Sequence, residues 1–161
     1  MQVKRYATIL VMVAGLFLTA GAAMAQNAAG SVTGWWLDAT GRAGILVTPC
    51  DNNTLCGRIE WLREPHNAAG TPVLDVHNED ASLRNRQVCG LLMMGKLVAN
   101  GPGAWKDGWI YDPASGKTYK ATMHLRPDGT LSLRGYIGIP LIGRSSVWTR
   151  PTTPLTPCTG T

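Results

Sequence analysis

Five arginines stand in this chain where each could hold an anion: Arg58, Arg84, Arg86, Arg134 and Arg144. A guanidinium offers a planar fork of donors that matches a carboxylate or a phosphate. Interleaved with them are Trp61, Trp109, Tyr111, Tyr119, Tyr136 and Trp148, apolar surfaces with polar tips of the kind that wall a binding site. Arg134 and Arg144 fall within β-favouring runs, where an arginine must face water, an acid or a ligand. The combination suits recognition of a small amphipathic acid. Arg58, Trp61, Tyr111, Tyr119, Arg134, Tyr136 and Arg144 are therefore the candidate ligand-binding residues.

Catalytic chemistry has little to work with. Gly143-Arg144-Ser145-Ser146-Val147 lacks the second glycine of a nucleophile elbow. Glycoside cleavage would need two of Glu60, Glu64, Asp75 and Glu79 at a set separation, and no spacing brings a pair together. The run from Asp75 to Asp80 gathers oxygen and nitrogen atoms. A calcium loop would want glycine at its sixth position and glutamate at its twelfth, where Asp80 and Arg86 stand. His66 and His77 lack the helical spacing of a zinc pair. Asp75, Asn78, Arg84 and Arg86 read instead as residues that order a loop. No catalytic residue, metal or cofactor is assigned.

These side chains need a scaffold, and the hydrophobic pattern supplies one. Eight β-favouring runs are expected: 33–37, 43–48, 55–62, 88–97, 109–111, 118–125, 131–137 and 143–149. Tyr119, Ala121, Met123 and Leu125 alternate with Thr118, Lys120, Thr122 and His124, and Leu131, Leu133, Gly135 and Ile137 alternate likewise with Ser132, Arg134 and Tyr136. A wall with one dry and one wet face follows. Asp112-Pro113-Ala114-Ser115-Gly116 and Arg126-Pro127-Asp128-Gly129 have tight-turn chemistry. Strands so close in sequence pair antiparallel, and a meander of this length must close or expose its edges. One long connection, residues 63–87, breaks the rhythm. Asn78 can cap a short helix there, through Arg84. Pro65, Pro72, Val73, Leu74 and Val76 suggest an ordered lid.

Lys4 and Arg5, an apolar run from Ala7 to Ala20, and Ala23-Met24-Ala25 form an export signal over residues 1–25. The run falls short of the roughly 20 residues that span a bilayer. Residues 26–150 then make one barrel domain and 151–161 a Pro/Thr-rich tail. Without Lys4 and Arg5, fifteen Lys and Arg become thirteen against ten acids, a net charge of +3 with no block of like charge. Export and that mild charge argue against a nucleic-acid partner. Four cysteines in an exported chain suggest two disulfides, with three connectivities open. Cys50 and Cys56 flank a turn-forming stretch that would bring them face to face, leaving Cys89 to tie down the tail through Cys158. Zinc is the alternative, but no pair has CxxC spacing.

The chain resembles a bacterial family of small exported proteins, domain of unknown function 2147. The resemblance rests on Leu55-Cys56-Gly57-Arg58-Ile59, Leu83-Arg84-x-Arg86, Cys89-Gly90-Leu91, Gly108-x-Ile110-Tyr111-Asp112-Pro113, Gly116-Lys117-Thr118-Tyr119, Leu133-Arg134-Gly135-Tyr136 and Trp148-Thr149-Arg150. Gly34-Trp35-Trp36 and the late Arg150 look like the lipocalin signature as well. The resemblance implies an all-β, antiparallel up-and-down eight-stranded lipocalin-like barrel with one long helix-containing loop. It also implies that Arg150 lies over Trp36 and closes one end.

The expectation is an exported, periplasmic or secreted, non-enzymatic protein. It would bind a small molecule in or at the mouth of the barrel, under the 63–87 connection, and would have no membrane span after cleavage. The alternative is an envelope interaction module with a filled barrel, which an exposed apolar patch near Val73, Leu74 and Val76 would favour. A hydrolase ranks third.

Overall fold

The computed structural model describes residues 31–158, so the export signal expected over residues 1–25 lies outside the described residues. Eight strands follow one another: β1 (Gly34–Leu37), β2 (Ala43–Pro49), β3 (Leu55–Leu62), β4 (Leu92–Ala99), β5 (Ala104–Asp112), β6 (Lys117–Leu125), β7 (Leu131–Tyr136) and β8 (Arg144–Trp148). Each pairs antiparallel with its neighbour in sequence, in the order β1 to β8. The circuit returns from β8 to β1 through one bridge, Leu37 with Thr149, whose two hydrogen bonds measure 2.8 and 3.1 Å. The result is the up-and-down barrel that the alternation anticipated, nearly closed.

An aspartate organises each of three hairpin turns. Asp38 accepts hydrogen bonds from the Arg42 and Ala43 amides, Asp112 from the Ala114 amide, and Asp128 from the Thr130 amide. Such side-chain acceptors hold a turn by standing in for ladder partners that the bend removes. Inside the barrel, Ile45, Val47, Met94, Leu97, Ala121, Met123, Leu131 and Leu133 are buried. Each large apolar side chain so buried contributes about 1.5–3 kcal/mol. Lys120 and His124 face water on the same strand that sends Ala121 and Met123 inward. Apolar-in and polar-out is the reverse of a lipid-spanning barrel. Among the described residues no helix is long and apolar enough to cross a membrane.

Four local expectations change. β4 starts at Leu92 rather than Val88, because residues 88–91 are committed elsewhere: the Val88 amide donates to Val73, and the Gly90 amide to Ile59. β5 starts at Ala104 rather than Trp109. A register shift between Trp105 and Gly108, with Asp107 at φ 58°, hides its first half from a search for strict alternation. Asn78 caps no helix. It is drawn inward, and Asp80 caps a single 3-10 turn over Ala81–Leu83 through the Ser82 amide. Ile137 does not continue the inner face of β7, which ends at Tyr136, and is 72% exposed.

Cys50 is bonded to Cys56, and Cys89 to Cys158. The tail leaves the end of β8 and runs across the outside of the barrel to β2 and β3. A Cβ at Gly44 would come within 2.6 Å of Leu155 and 3.0 Å of Trp61, and the Cys158 amide donates to the Glu60 carbonyl at 2.7 Å. The tail is thus a strap that ties the end of β8 to the outside of β2 and β3.

Candidate functional site

In an up-and-down barrel the turns alternate between two ends. The β2–β3, β4–β5 and β6–β7 turns share one end with the start of β1 and the close of β8. That end is sealed. Trp36 is fully buried, with its indole N–H donating to the Val32 carbonyl at 2.7 Å. The Arg150 guanidinium lies 3.7 Å from the ring centroid. It donates to the carbonyls of Trp35 and Thr33 at 2.8 and 3.1 Å, and also to Ser31.

The other end carries the β1–β2, β3–β4, β5–β6 and β7–β8 connections and opens into a cavity of about 750 Å³. Ile110, Tyr111, Tyr119, Leu133, Tyr136 and Trp148 wall it, and Asp38, Asp112, Ile137, Ile142 and Arg144 stand among its lining residues. The charged groups here are not equivalent. Asp38 is tied into its turn by four hydrogen bonds, from Thr40, Arg42 and Ala43. Asp112 is tied into its own by the Ala114 amide and the Ser115 hydroxyl. Among the described residues the Arg144 guanidinium has no hydrogen-bond or ion-pair partner, and the residue is exposed to the cavity solvent.

One wall is braced from behind by a buried polar network. The Asp75 carboxylate, 1% exposed, accepts from the Tyr111 hydroxyl at 2.5 Å, Asn78 Nδ2 at 2.8 Å, and Arg86 Nε and Nη2, both at 2.8 Å. Asn78 also donates to the Tyr111 oxygen at 2.9 Å, and Arg86 lies 5.2 Å from the Tyr111 ring centroid. Arg84 joins through the Asn78 carbonyl at 2.7 Å. Burial, reinforced by the Asp75 carboxylate, pushes the Tyr111 hydroxyl above the ordinary tyrosine range. Among the described residues no buried side-chain polar atom lacks a partner.

Of the seven residues expected to bind a ligand, Tyr111, Tyr119, Tyr136 and Arg144 meet at the cavity. Arg58, Trp61 and Arg134 do not line it. Arg58 donates to the Gly90 carbonyl at 3.0 Å, and Trp61 packs on the outer face beside Leu155. Arg134 grips the β7–β8 loop, through the Pro140 and Leu141 carbonyls at 2.6 and 3.0 Å, and Ser145 Oγ at 2.9 Å. Parity separates the two arginines: Arg134 pairs with Thr122 on the wet face, whereas Arg144 pairs with Gly135 on the inner one. Tyr136, placed by alternation with Arg134, ends its strand and borders the cavity, buried. The 63–87 connection does not cover the cavity either, because none of its residues lines it. It packs behind Tyr111 and against the β5–β6 turn, where a Cβ at Gly116 would lie 1.7 Å from the His77 carbonyl oxygen. Ile142 is the apolar lining residue outside every expected strand. The apolar residues between Gly138 and Gly143 were the available sign of a greasy loop.

The family model described as "Uncharacterized protein conserved in bacteria (DUF2147)" matches residues 34–150. The chain belongs to the DUF2147 family. The matched span of this DUF2147 chain runs from the first strand to the arginine that closes the sealed end. Among solved structures it is similar to protein HP1028 from Helicobacter pylori, which is described as belonging to the lipocalin family. The TM-score is 0.64 at 19% identity, covering 76% of this chain and 84% of that one. The DUF2147 barrel is therefore lipocalin-like in fold. No curated protein matches the sequence.

Proposed function

We propose that the protein is an extracytoplasmic, non-enzymatic carrier that holds a small amphipathic anion in the mouth cavity. The single observation that supports this reading is Arg144, an unengaged guanidinium set beside aromatic and aliphatic walls. An anionic head group would take the guanidinium fork, while an aliphatic body would lie against Ile110, Leu133 and Trp148. Two disulfides fit an oxidising compartment, the periplasm or the cell exterior.

Calorimetric titration with decanoate, beside decanol as the uncharged control, tests the reading. Decanoate should bind, and Arg144→Gln should weaken it by roughly tenfold to a hundredfold. No binding, or equal binding by wild type and variant, would overturn the assignment. Native mass spectrometry of protein purified from its own envelope should also find a small-molecule adduct.

A further inference from the structure

The three most exposed large apolar side chains of the described residues, Leu141, Ile142 and Ile137, are gathered with Ile139 in one loop beside the cavity. Ile137, Ile139, Leu141 and Ile142 are 72%, 55%, 83% and 77% exposed. The loop is not slack. The Ile142 and Gly143 amides donate to Ile139 and Pro140, and Arg134 holds the Pro140 and Leu141 carbonyls from the barrel side. The Ile139, Pro140 and Leu141 carbonyls are thereby engaged, while Ile139 and Leu141 point away from the cavity that Ile137 and Ile142 border. A tip built this way can enter a low-dielectric medium without stranding those polar groups.

We infer that the Ile137–Ile142 loop docks the barrel, mouth first, on the surface of an anionic phospholipid bilayer. Charge favours this occupant. From Lys117 to Arg150 the one acid is Asp128, in the β6–β7 turn at the sealed end. The two acids at the mouth, Asp38 and Asp112, lie outside this span and are each hydrogen-bonded within their own turns. Lys117 and Lys120 stand on the strand next to β7, and Lys120 pairs directly with Tyr136 at the base of the loop. Apolar side chains flanked by cations are what an interfacial segment uses to enter the acyl boundary and hold lipid head groups. Shape favours it too. A single protruding loop falls well short of the roughly 800 Å² per partner of a standard protein–protein interface. A bilayer needs no matching pocket to accept a convex tip.

Ile139 and Leu141 do not line the cavity, so docking can be tested apart from ligand binding. Flotation of the purified protein with phosphatidylethanolamine–phosphatidylglycerol vesicles should carry it upward, and phosphatidylcholine vesicles should carry less. The double variant Ile139→Ser with Leu141→Ser should lower partition by roughly tenfold or more while leaving the urea midpoint and decanoate titration unchanged. Ile139→Phe with Leu141→Phe should retain it. The inference is overturned if wild type does not float, or if the serine variant floats equally. Binding only to envelope vesicles that keep their membrane proteins, and not to pure lipid, would overturn it in favour of a protein partner.

Discussion

The Tyr111 hydroxyl donates to the Asp75 carboxylate at 2.5 Å, joining a strand that walls the cavity to a loop with no strand of its own. The two residues are 36 positions apart, and both are buried. The loop is therefore ordered from its centre rather than its ends. Four donor atoms converge on one carboxylate, so the position of the Tyr111 ring depends on all of them at once.

Removing Arg86 should cost more than its half-exposed position suggests. Arg86→Ala takes away the cation and two of the four donor atoms that compensate a carboxylate with no exposed side-chain surface. A destabilisation of about 3 kcal/mol is expected in urea unfolding, and Arg86→Lys should recover only part of it. A loss below about 1 kcal/mol would mean that the loop carries the charge by other means.

At the sealed end, Arg150→Lys should lower stability by about 1–2 kcal/mol even though the charge is kept. The ammonium cannot both cover the Trp36 face and reach the three carbonyls of Ser31, Thr33 and Trp35 that the guanidinium spans. Near-ultraviolet circular dichroism should register the change at the buried indole. An unaltered melting temperature and spectrum would deny Arg150 its closing role.

The two disulfides should differ in weight. The loop closed by Cys50 and Cys56 is short, with a separation of 6, whereas Cys89 and Cys158 are separated by 69. Loop-closure entropy then assigns about 2 kcal/mol to the first and about 4 kcal/mol to the second. Paired Cys→Ser variants compared by urea denaturation check the ranking, and equal losses would contradict it.

Stability should fall at both extremes of pH. Partial burial works to raise the Asp38 pKa, but hydrogen bonds from Ala43, Thr40 and Arg42 outweigh it and hold the carboxyl below the ordinary 3.8. Hydrogen bonds from Ser82 and Thr130 do the same for Asp80 and Asp128. A folded pKa below the unfolded one means that this stabilisation is complete above the unfolded value and disappears as pH falls through the folded one. Tyr111 runs the other way. Burial first, then Asp75, raises it above 10.0, so its contribution is complete below that value and is lost as pH rises through the folded pKa. The urea midpoint should be flat between about pH 5 and pH 9 and drop on either side. Asp38→Asn should soften the acid limb and Tyr111→Phe the alkaline one; limbs unchanged in both variants would refute the assignment.

The barrel was readable because its signals are local. Alternation along β6 and the Asp-led turns state which face is dry and where each strand reverses, and neither depends on distant residues. Tyr111, Tyr119, Tyr136 and Arg144 could be named as a set, but their separation from Arg134 could not. Both arginines fall within β-favouring runs, and which face each takes depends on a one-residue difference in register. Asn78 misled for a related reason. Its local chemistry suits a helix cap, but its amide is shared between the buried Asp75 carboxylate and Tyr111, which lies far along the chain. Alternation alone turns Ile137 inward, because it says nothing about where a strand stops.

Every strand pair but one joins sequence neighbours, so the meander can zip along the chain by successive short closures. The Leu37–Thr149 bridge is different, for it requires the first strand to find the last. That search should form the slow step of folding, since long loops close late and at the greatest entropic cost. Cys158 is carried to Cys89 by a tail that starts where β8 ends and lies against β2 and β3. Native pairing is therefore favoured once the last strand has met the first. Pairing of this disulfide thus timestamps completion of the barrel, and oxidative refolding quenched at intervals would find the Cys50–Cys56 bond formed first.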